Sequence, residues 1–445
     1  MGPVSPEPGE RGGSPLRIAY VLGTTAGGTG PHVAMLAQGC AARGMAVRVF
    51  GPAETGRRYF PGRGLGGDAG LGGGAGLGGD AGRGGGTGPD DEPRLGGGAG
   101  RSAESRPGDG AGQGLSGLPG FAVVEMADRP RPAHDLAAVL RLRRLLRGWV
   151  PDLVHAHGLR AGAFAALALA GLPYRLVVTV HNAPPATRPG RVVHAALERL
   201  TARRADAVTW VSGDLGARMR QAGARDGGRA VVAAPGFAPP EPDQVTAARE
   251  DLGGADRPTV LSVGRLAEQK GFAVLIDAAA RWQGRDPCPR LAIAGAGPLA
   301  DALASQARAA GVTVRFLGRR NDVPALLAAA DVVVVPSLWD GQPLAVQEAL
   351  RSGRPLVASR AGGIPGLTGE DGALLVPAGD AGALAKAVLA VLDDPGLAAR
   401  LRAAATERSR MLPGSLDAVD SAATLYRRVL GGVGGRTEQE KQSRS

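Results

Sequence analysis

The sequence predicts an α/β protein with two Rossmann-like domains, each a doubly wound parallel sheet, facing each other across a cleft. Short apolar runs alternate with helix-like stretches along both halves of the 445-residue chain, which is typical of repeated βα units. A glycine-rich loop, 23–30, follows the first apolar run, as in many such sheets. A segment with three prolines, 238–256, separates the halves, and ligands often bind where two domains meet.

The first half opens with a predicted strand at 17–22, which leads into the glycine loop and then a helix over 32–43. Gly44 ends that helix, and a second strand follows at 46–50. Further strands are predicted at 121–126, 152–157, 176–180, 207–211 and 230–233, and further helices at 133–149, 161–170 and 192–205. We assign residues 16–240 to this N-terminal domain and residues 1–15 to a disordered tail.

The second half repeats the rhythm. Its predicted strands are 260–263, 291–294, 312–317, 332–335, 356–358 and 373–376, and its helices cover 273–282, a stretch ending at 310, 323–330, 344–351 and 383–392. The run 332–335 is four valines, as expected for a central parallel strand buried on both faces. We assign 257–412 to the second domain and 413–432 to a C-terminal helix packed back on the first. Residues 433–445 are expected to be a disordered tail.

Within the first half, between the predicted strands 46–50 and 121–126, the composition changes sharply. Of the 60 residues from 61 to 120, 26 are glycine, and six-residue units resembling Leu-Gly-Gly-Asp-Ala-Gly recur. A six-residue period is also found in β-helices, but the adjacent copies are few and lack β-branched residues. So much glycine cannot offset the entropy of ordering the chain, so we assign 51–120 to a disordered insertion in the first domain.

Composition narrows the function classes. The net charge of +11 is compatible with nucleic acid, an anionic membrane or a phosphorylated ligand. Basic and aromatic residues are not interleaved as in base-stacking proteins, so no nucleic-acid partner is expected. The N-terminus lacks the apolar core of a secretory signal, and the longest apolar run, 161–172, is too short to span a bilayer. We therefore expect a cytoplasmic protein, with peripheral attachment to the inner face of the membrane as an alternative.

Cysteine and histidine give no metal or disulfide framework. The two cysteines, Cys40 and Cys288, fall in different predicted domains. His155 and His157 share one face of a strand at a spacing that a metal could use, but no third ligand is evident. We predict no metal site.

Two cations stand out at a predicted strand-to-helix junction, Arg265 and Lys270. The chain has only three lysines against 49 arginines, so a lysine at such a junction is a good candidate ligand. Arginine offers a planar fork and lysine a compact charge, and a helix N-terminus favours anions. The pair therefore suits a diphosphate. The alternative is that Lys270 is an ordinary solvated lysine.

A second constellation lies in the stretch 333–350. Pro343 suits the first position of a helix, which leaves the N–H groups of Leu344 and Ala345 free to meet a phosphate. One turn further on, the carboxylate of Glu348 could accept hydrogen bonds from a ribose diol. Asp340, in the loop before the helix, could orient sugar hydroxyls. The alternatives are a surface carboxylate for Glu348 and a turn or cap residue for Asp340.

These motifs, in this order and spacing, resemble the retaining glycosyltransferase family 4. The resemblance rests on Val-Gly-Arg-Leu followed by Lys-Gly, then Gly-Ala-Gly-Pro, then Pro-Ser with an acidic residue that is separated from Glu-Ala by seven residues. It covers about 16–50 and 121–430. It implies a GT-B fold, with a metal-independent nucleotide-sugar site in the second domain and acceptor recognition in the first.

The resemblance also assigns roles. Arg265 and Lys270 match the diphosphate-binding pair, and Glu348 matches the ribose carboxylate. His181, in Val-Thr-Val-His-Asn, matches a histidine beside the donor sugar. Further matches are the glycine loop that approaches the donor, Gly27 and Gly28, and the turn that leaves backbone space for the nucleotide, Gly295 and Gly297.

The chain departs from the family pattern at three places. Asp340 stands where the family usually has Glu, which shortens the reach by one methylene. Ala234-Pro-Gly-Phe replaces the commoner Pro-Asn-Gly-Val, and Gly366 follows Gly-Gly-Ile-Pro where Glu is usual.

We therefore predict a metal-independent, retaining glycosyltransferase of the hexosyltransferase type. It would take a nucleotide-diphosphate sugar as co-substrate and a hydroxyl acceptor of unassigned class, with no other cofactor. The alternatives are a non-catalytic nucleotide-sugar-binding protein and a GT-B nucleotide-sugar epimerase. The arginine-rich helices around 141–147 and 188–204 are either solvated faces or a peripheral membrane contact.

Overall fold

The computed structural model describes residues 14–23, 28–60, 120–127, 130–185, 187–234 and 238–431. The predicted tails and most of the predicted insertion lie outside these residues. Within them the chain forms two α/β domains whose strands are all parallel, each domain with a single sheet. Each sheet has helices on both faces, the arrangement of a doubly wound fold. The predicted fold class is confirmed.

The first sheet has seven strands in the order β3-β2-β1-β4-β5-β6-β7. The strands are β1 (Arg17–Leu22), β2 (Ala46–Gly51), β3 (Gly120–Val123), β4 (Leu153–His157), β5 (Arg175–Val180), β6 (Ala207–Trp210) and β7 (Gly227–Arg229). The helices are α1 (Thr29–Ala42), α2 (Ala53–Tyr59), α3 (Pro132–Trp149), α4 (Leu159–Ala168), α5 (Arg188–Arg204) and α6 (Gly213–Gln221). The strand order reverses between β1 and β4, which opens a crevice at the carboxyl edge there.

A short helix, α7 (Pro242–Asp251), leads into the second domain, whose sheet has the order β10-β9-β8-β11-β12-β13. The strands are β8 (Thr259–Val263), β9 (Arg290–Ala294), β10 (Val314–Gly318), β11 (Val332–Val335), β12 (Leu356–Ser359) and β13 (Leu374–Val376). The helices are α8 (Phe272–Ala279), α9 (Ala300–Ala309), α10 (Val323–Ala329), α11 (Leu344–Arg351), α12 (Ile364–Thr368), α13 (Ala381–Asp393) and α14 (Pro395–Arg410). Here the order reverses between β8 and β11.

The last described helix, α15 (Ser415–Gly431), belongs to the core of the first domain. It packs on α1 so closely that a Cβ built on Gly39 would lie 2.4 Å from Val419 Cγ2. Its Tyr426 is fully buried beside Ile18 and Tyr20 of β1. The first domain is therefore made from two separate stretches of chain.

The glycine-rich insertion starts later than the sequence predicts. Residues 51–60 include the end of β2 and the helix α2, where Thr55 is buried. A Cβ on Gly56 would lie 2.6 Å from the Phe121 ring, so glycine allows α2 to pack against β3. The Ala53 amide donates a hydrogen bond to the Glu125 carboxylate. The remaining predicted residues of the insertion, apart from Gly120 in β3, are outside the described part.

Glycine also explains two other differences. The sequence analysis does not predict helix α6, which contains Gly216. A Cβ on Gly216 would lie 2.4 Å from Trp210 Nε1. The last strand, predicted at 230–233, is instead Gly227–Arg229. A Cβ on Gly227 would lie 1.9 Å from the Val208 carbonyl oxygen. Close backbone approach selects glycine at these places, and propensity alone points away from helix or strand.

Candidate functional site

The loops after β8 and β9 form the floor of a crevice at the carboxyl edge of the second sheet. Gly295 adopts φ 153°, and a Cβ there would lie 1.8 Å from the Gly264 carbonyl oxygen. A Cβ on Gly297 would lie 2.3 Å from the Leu266 carbonyl oxygen. Both glycines let the two loops touch, and the loop between Gly264 and Leu266 carries Arg265. The side chain of Arg265 is exposed and bonds to no group in the described chain.

Lys270 comes from the same loop and meets the loop after β11. It ends a short 3₁₀ turn, and Gly271 follows with φ 68°. A Cβ on Gly271 would lie 1.9 Å from the Pro336 carbonyl oxygen, so the loops are in backbone contact. The Leu338 amide donates to the Gln269 carbonyl at 2.9 Å. These contacts fix Lys270 beside the strand-order reversal.

The Lys270 ammonium group forms an ion pair with the Asp340 carboxylate. Both side chains are largely buried, and the Ser337 hydroxyl lies 3.5 Å from the same carboxylate oxygen. The two residues were predicted to contact different parts of one ligand, a diphosphate and a sugar. The structure brings them together as an ion pair in which each charge neutralises the other.

Helix α11 starts next to this pair and points its N-terminus into the crevice. Pro343 precedes the helix in an extended conformation, φ −66° and ψ 125°, so it is the cap and not the predicted first helical residue. The amides of Leu344 and Ala345 find no acceptor within the described residues. Unpaired amides and the helix dipole together favour an anion at this end.

Glu348 lies one turn into α11, four residues after Leu344 and so on the same side of the helix. Its carboxylate is half-buried and accepts no hydrogen bond from the described part of the chain. Burial raises the pKa of Glu348 to about 7, although the Arg351 guanidinium acts in the opposite direction. A desolvated, unpaired carboxylate beside a helix N-terminus can accept hydrogen bonds from ligand hydroxyls.

The first domain closes over this crevice. A Cβ on Gly28, just before α1, would lie 2.9 Å from Leu344 Cδ1. A Cβ on Gly341 would lie 2.3 Å from Val211 Cγ2 and 3.3 Å from the His181 carbonyl oxygen. His181 follows β5 directly, at the carboxyl edge of the first sheet. Gly27, the other predicted glycine, lies outside the described residues.

Sequence reasoning missed Trp339, which joins the two domains. Its ring packs against the core of the first domain, and its Nε1 donates to the Asp214 carboxylate at 2.9 Å. Asp214 is in the first turn of α6. The available signal was a tryptophan directly before Asp340, in a chain with only 3% aromatic residues.

A cluster of four histidines lies behind the first-domain wall of the site. His157 Nδ1 is 3.1 Å from His181 Nε2, and the His155 and His157 rings are 4.1 Å apart. The His32 ring is 6.1 Å from that of His157 and 6.4 Å from that of His181. Within the described chain, no group of three or more His, Cys, Asp or Glu side chains is arranged to hold a metal ion.

Burial keeps these imidazoles neutral. It lowers the pKa of His32 to about 4 and the pKa values of His155 and His181 to about 3. The pKa of His157 is also lowered well below its usual value, first by burial and then by the neighbouring imidazoles. At neutral pH each ring therefore has one donor and one acceptor nitrogen. His181 presents an uncharged ring beside the crevice.

Comparison with known proteins gives two family matches. The sequence model described as Glycosyltransferase Family 4 matches residues 98–248, and that described as Glycosyl transferases group 1 matches residues 257–394. The chain is 33% identical over 300 residues to glycogen synthase from Mycobacterium tuberculosis, covering 61% of this chain and 68% of that protein. It is 32% identical over 319 residues to alpha-D-kanosaminyltransferase from Streptomyces kanamyceticus, covering 65% of this chain and 81% of the relative.

The fold is similar to solved structures at low sequence identity. Anabaena HepE in complex with UDP-glucose superposes with a TM-score of 0.68 at 19% identity, over 92% of this chain and 99% of that one. In the part of the chain that the structure describes, no helix is both long and apolar enough to cross a membrane.

The lowered pKa values of the four histidines predict that the free energy of unfolding falls between pH 7.5 and pH 5. Their pKa values are depressed on folding, so the unfolded state binds more protons below about 6.5, its ordinary histidine value. A pKa of about 4 corresponds to a loss of about 2 kcal/mol per histidine at pH 5. Urea unfolding should show a loss of several kcal/mol.

Glu348 opposes this trend, because its raised pKa favours the folded state as pH falls, but it is one group against four. Above pH 7.5 the histidines contribute no further change, which provides the internal reference. An equal free energy of unfolding at pH 5 and pH 7.5 would contradict the buried, neutral cluster.

Proposed function

Because the chain belongs to glycosyltransferase family 4, we propose that this enzyme transfers a sugar from a nucleotide-diphosphate sugar to a hydroxyl acceptor. The observation that carries the proposal is the convergence of Lys270, Asp340 and the N-terminus of α11 on one interdomain crevice. His181 and Gly28 line the facing wall. The site therefore offers cations for a diphosphate and polar groups for a sugar on opposite sides of one cleft.

The donor would bind to the second domain. Arg265 is exposed and unpaired within the described chain, so its guanidinium is available to a diphosphate. Lys270 would exchange Asp340 for a phosphate oxygen, and the released carboxylate could then accept bonds from sugar hydroxyls. Glu348 would accept the ribose hydroxyls. The complex of HepE with UDP-glucose supports a nucleotide sugar as the donor class for this fold.

We propose that transfer retains the anomeric configuration. The bond from the anomeric carbon to the diphosphate oxygen breaks, and the acceptor oxygen bonds to the same face of that carbon. The acceptor's proton passes to the departing diphosphate, so no protein base or nucleophile is needed. The proposal rests on the resemblance of the sequence motifs to the retaining glycosyltransferase family 4.

The negative charge that develops on the diphosphate would be stabilised by Arg265, Lys270 and the amides of Leu344 and Ala345. These groups supply the charge compensation that a divalent ion gives in other transferases, so we propose a metal-independent reaction. His181, neutral and fixed by His157, would contact the donor sugar near the reacting carbon.

We expect Lys270→Ala to remove most of the affinity for a nucleoside diphosphate, because it deletes a charge-assisted contact and leaves Asp340 facing the phosphates. The loss should be about tenfold to a hundredfold in Kd, measured by isothermal titration with UDP and GDP. Lys386→Ala is the matched control, since Lys386 is an exposed lysine on α13. Equal affinities for the two variants would remove Lys270 from the site.

Incubation of the enzyme with a panel of UDP- and GDP-sugars and sugar acceptors should give a product with the anomeric configuration of the donor, read by proton NMR. The rate should be unchanged by EDTA. An inverted product would overturn the proposed stereochemistry, and abolition by EDTA would overturn metal independence. Binding without any turnover would support the non-catalytic alternative, and isomerisation of the donor alone would support the epimerase.

A membrane-facing surface is proposed on the helical layer of the first domain. Leu136 and Leu140 of α3 are 60% and 53% exposed, and Val192 and Val193 of α5 are 71% and 43% exposed. Helix α4 lies between α3 and α5 and packs against both. In a parallel sheet each such helix starts at the carboxyl edge, so these four residues lie towards the cleft-side end of their helices.

The charge of these two helices suits an anionic lipid surface. Together they carry nine arginines and two carboxylates. Both carboxylates form ion pairs within the protein, Asp135 with Arg160 and the buried Glu198 with Arg218. Exposed apolar residues flanked by arginine are the pattern of helices that lie in a membrane interface. Attachment there would bring the mouth of the cleft close to an acceptor held in the membrane.

We expect the protein to co-sediment with phosphatidylglycerol vesicles at low salt. Binding to phosphatidylcholine vesicles should be much weaker, and so should binding to phosphatidylglycerol vesicles at about 0.5 M salt. Leu140→Ser with Val192→Ser should weaken binding about tenfold. Leu416→Ser is the control, because Leu416 is 70% exposed on α15. Absent or salt-independent binding, or equal effects of both sets of substitutions, would exclude this surface.

A further inference from the structure

The candidate catalytic histidine is the end of a buried chain of polar side chains that crosses the first domain. His181 Nε2 contacts His157 Nδ1, and the His157 ring packs against the His155 ring at 4.1 Å, tilted by 36°. His155 Nδ1 is 2.7 Å from the Tyr426 hydroxyl on α15. The chain therefore connects the crevice to the C-terminal helix, although Tyr426 and His155 are 271 residues apart in sequence.

His155 has no freedom to rotate within this chain. Its second nitrogen, Nε2, is 2.7 Å from the Thr179 hydroxyl, which is itself 2.7 Å from the Thr209 hydroxyl. The Tyr426 hydroxyl is shared with Tyr20 at 2.9 Å. The side chains of His155, His157, Thr179, Thr209, Tyr20 and Tyr426 are all buried, so water cannot replace a lost partner among them. The face of the His155 ring thus forms a fixed surface against which His157 packs.

His157 in turn controls the hydrogen-bond state of His181. Two neutral imidazoles can share only one proton across the 3.1 Å contact between His157 Nδ1 and His181 Nε2. If His157 donates, His181 carries its proton on Nδ1. If His181 donates, its Nδ1 is a bare acceptor. The contact therefore restrains the orientation of the His181 ring and couples its tautomer to that of His157.

We propose that His157 and Tyr426 are positioning residues for His181, and that α15 completes the active site of the first domain without touching the substrate. This inference rests on the proposed function of His181 beside the donor sugar. The groups around the chain are Tyr20, Cys40, His32, Thr179 and Thr209, all uncharged at neutral pH. No carboxylate within the described residues bonds to any of the four histidines in this cluster.

The first test compares His157→Leu with His157→Asn. Leucine removes the partner of His181, whereas the asparagine amide can occupy the position of Nδ1. We expect His157→Leu to lower kcat by up to about a hundredfold, because the reacting geometry is lost, with less than a twofold change in Kd for the nucleoside diphosphate. His157→Asn should recover most of kcat. A merely structural role would reduce kcat and nucleotide affinity together, or spare both.

The second test addresses α15. Tyr426→Phe removes one hydroxyl and should lower kcat about tenfold, with nucleotide affinity unchanged. Tyr174→Phe is the control, because the Tyr174 hydroxyl bonds to no group in the described chain and its ring packs on the other face of the sheet. Equal kcat for Tyr426→Phe and the control would exclude a contribution from α15.

A readout that needs no turnover separates this inference from the proposed function. The nitrogen-15 shifts of the His181 ring report its tautomer. They should change in His157→Leu and return towards the original values in His157→Asn. Unchanged shifts in His157→Leu would overturn the positioning role. Altered shifts in a protein that transfers no sugar would keep that role and reject the proposed function instead.

Discussion

In a sheet whose strands all run in one direction, every strand delivers the residues that follow it to the same edge. Both sheets of this enzyme are wholly parallel, and the strand order reverses once in each. Loops on either side of a reversal diverge to opposite faces, which opens a crevice. Arg265 and Lys270 follow one strand at such a point, and Asp340 follows its neighbour across the reversal. The proposed donor site is a consequence of this topology.

Close backbone packing makes the crevice rigid. Gly271, Gly295 and Gly297 each stand where a Cβ would collide with a carbonyl oxygen of a neighbouring loop. The loops after β8, β9 and β11 therefore touch through their main chains, which holds the backbone that carries Arg265, Lys270 and Asp340 in place. The ion pair of Lys270 and Asp340 also ties the loop after β8 to the loop after β11. A site that is formed in advance has less ordering entropy to lose on binding.

Much of this arrangement is readable from the sequence, for a physical reason. The four valines of β11 indicate burial on both faces of that strand. Gly264 marks the end of β8, Lys270 is a cation at a strand-to-helix junction, and Pro343 marks the start of α11. Each of these signals is local. The contacts of Trp339 with Asp214 and of Tyr426 with His155 join residues 125 and 271 positions apart. No local pattern encodes them. The short helix α6 was missed because Gly216 is selected by its contact with Trp210 and not by helix propensity.

The return of α15 to the first domain has a consequence for how the chain folds. Ile18, Tyr20 and Val33 are covered by residues of α15, such as Val419 and Tyr426, which are translated roughly 400 residues later. Until then, one apolar face of the emerging first sheet is uncovered, and the Tyr20 hydroxyl and His155 Nδ1 lack their Tyr426 partner. The second domain, by contrast, has its own complete core from contiguous chain. On a ribosome the downstream domain can therefore reach its final packing first, and the upstream domain is sealed last.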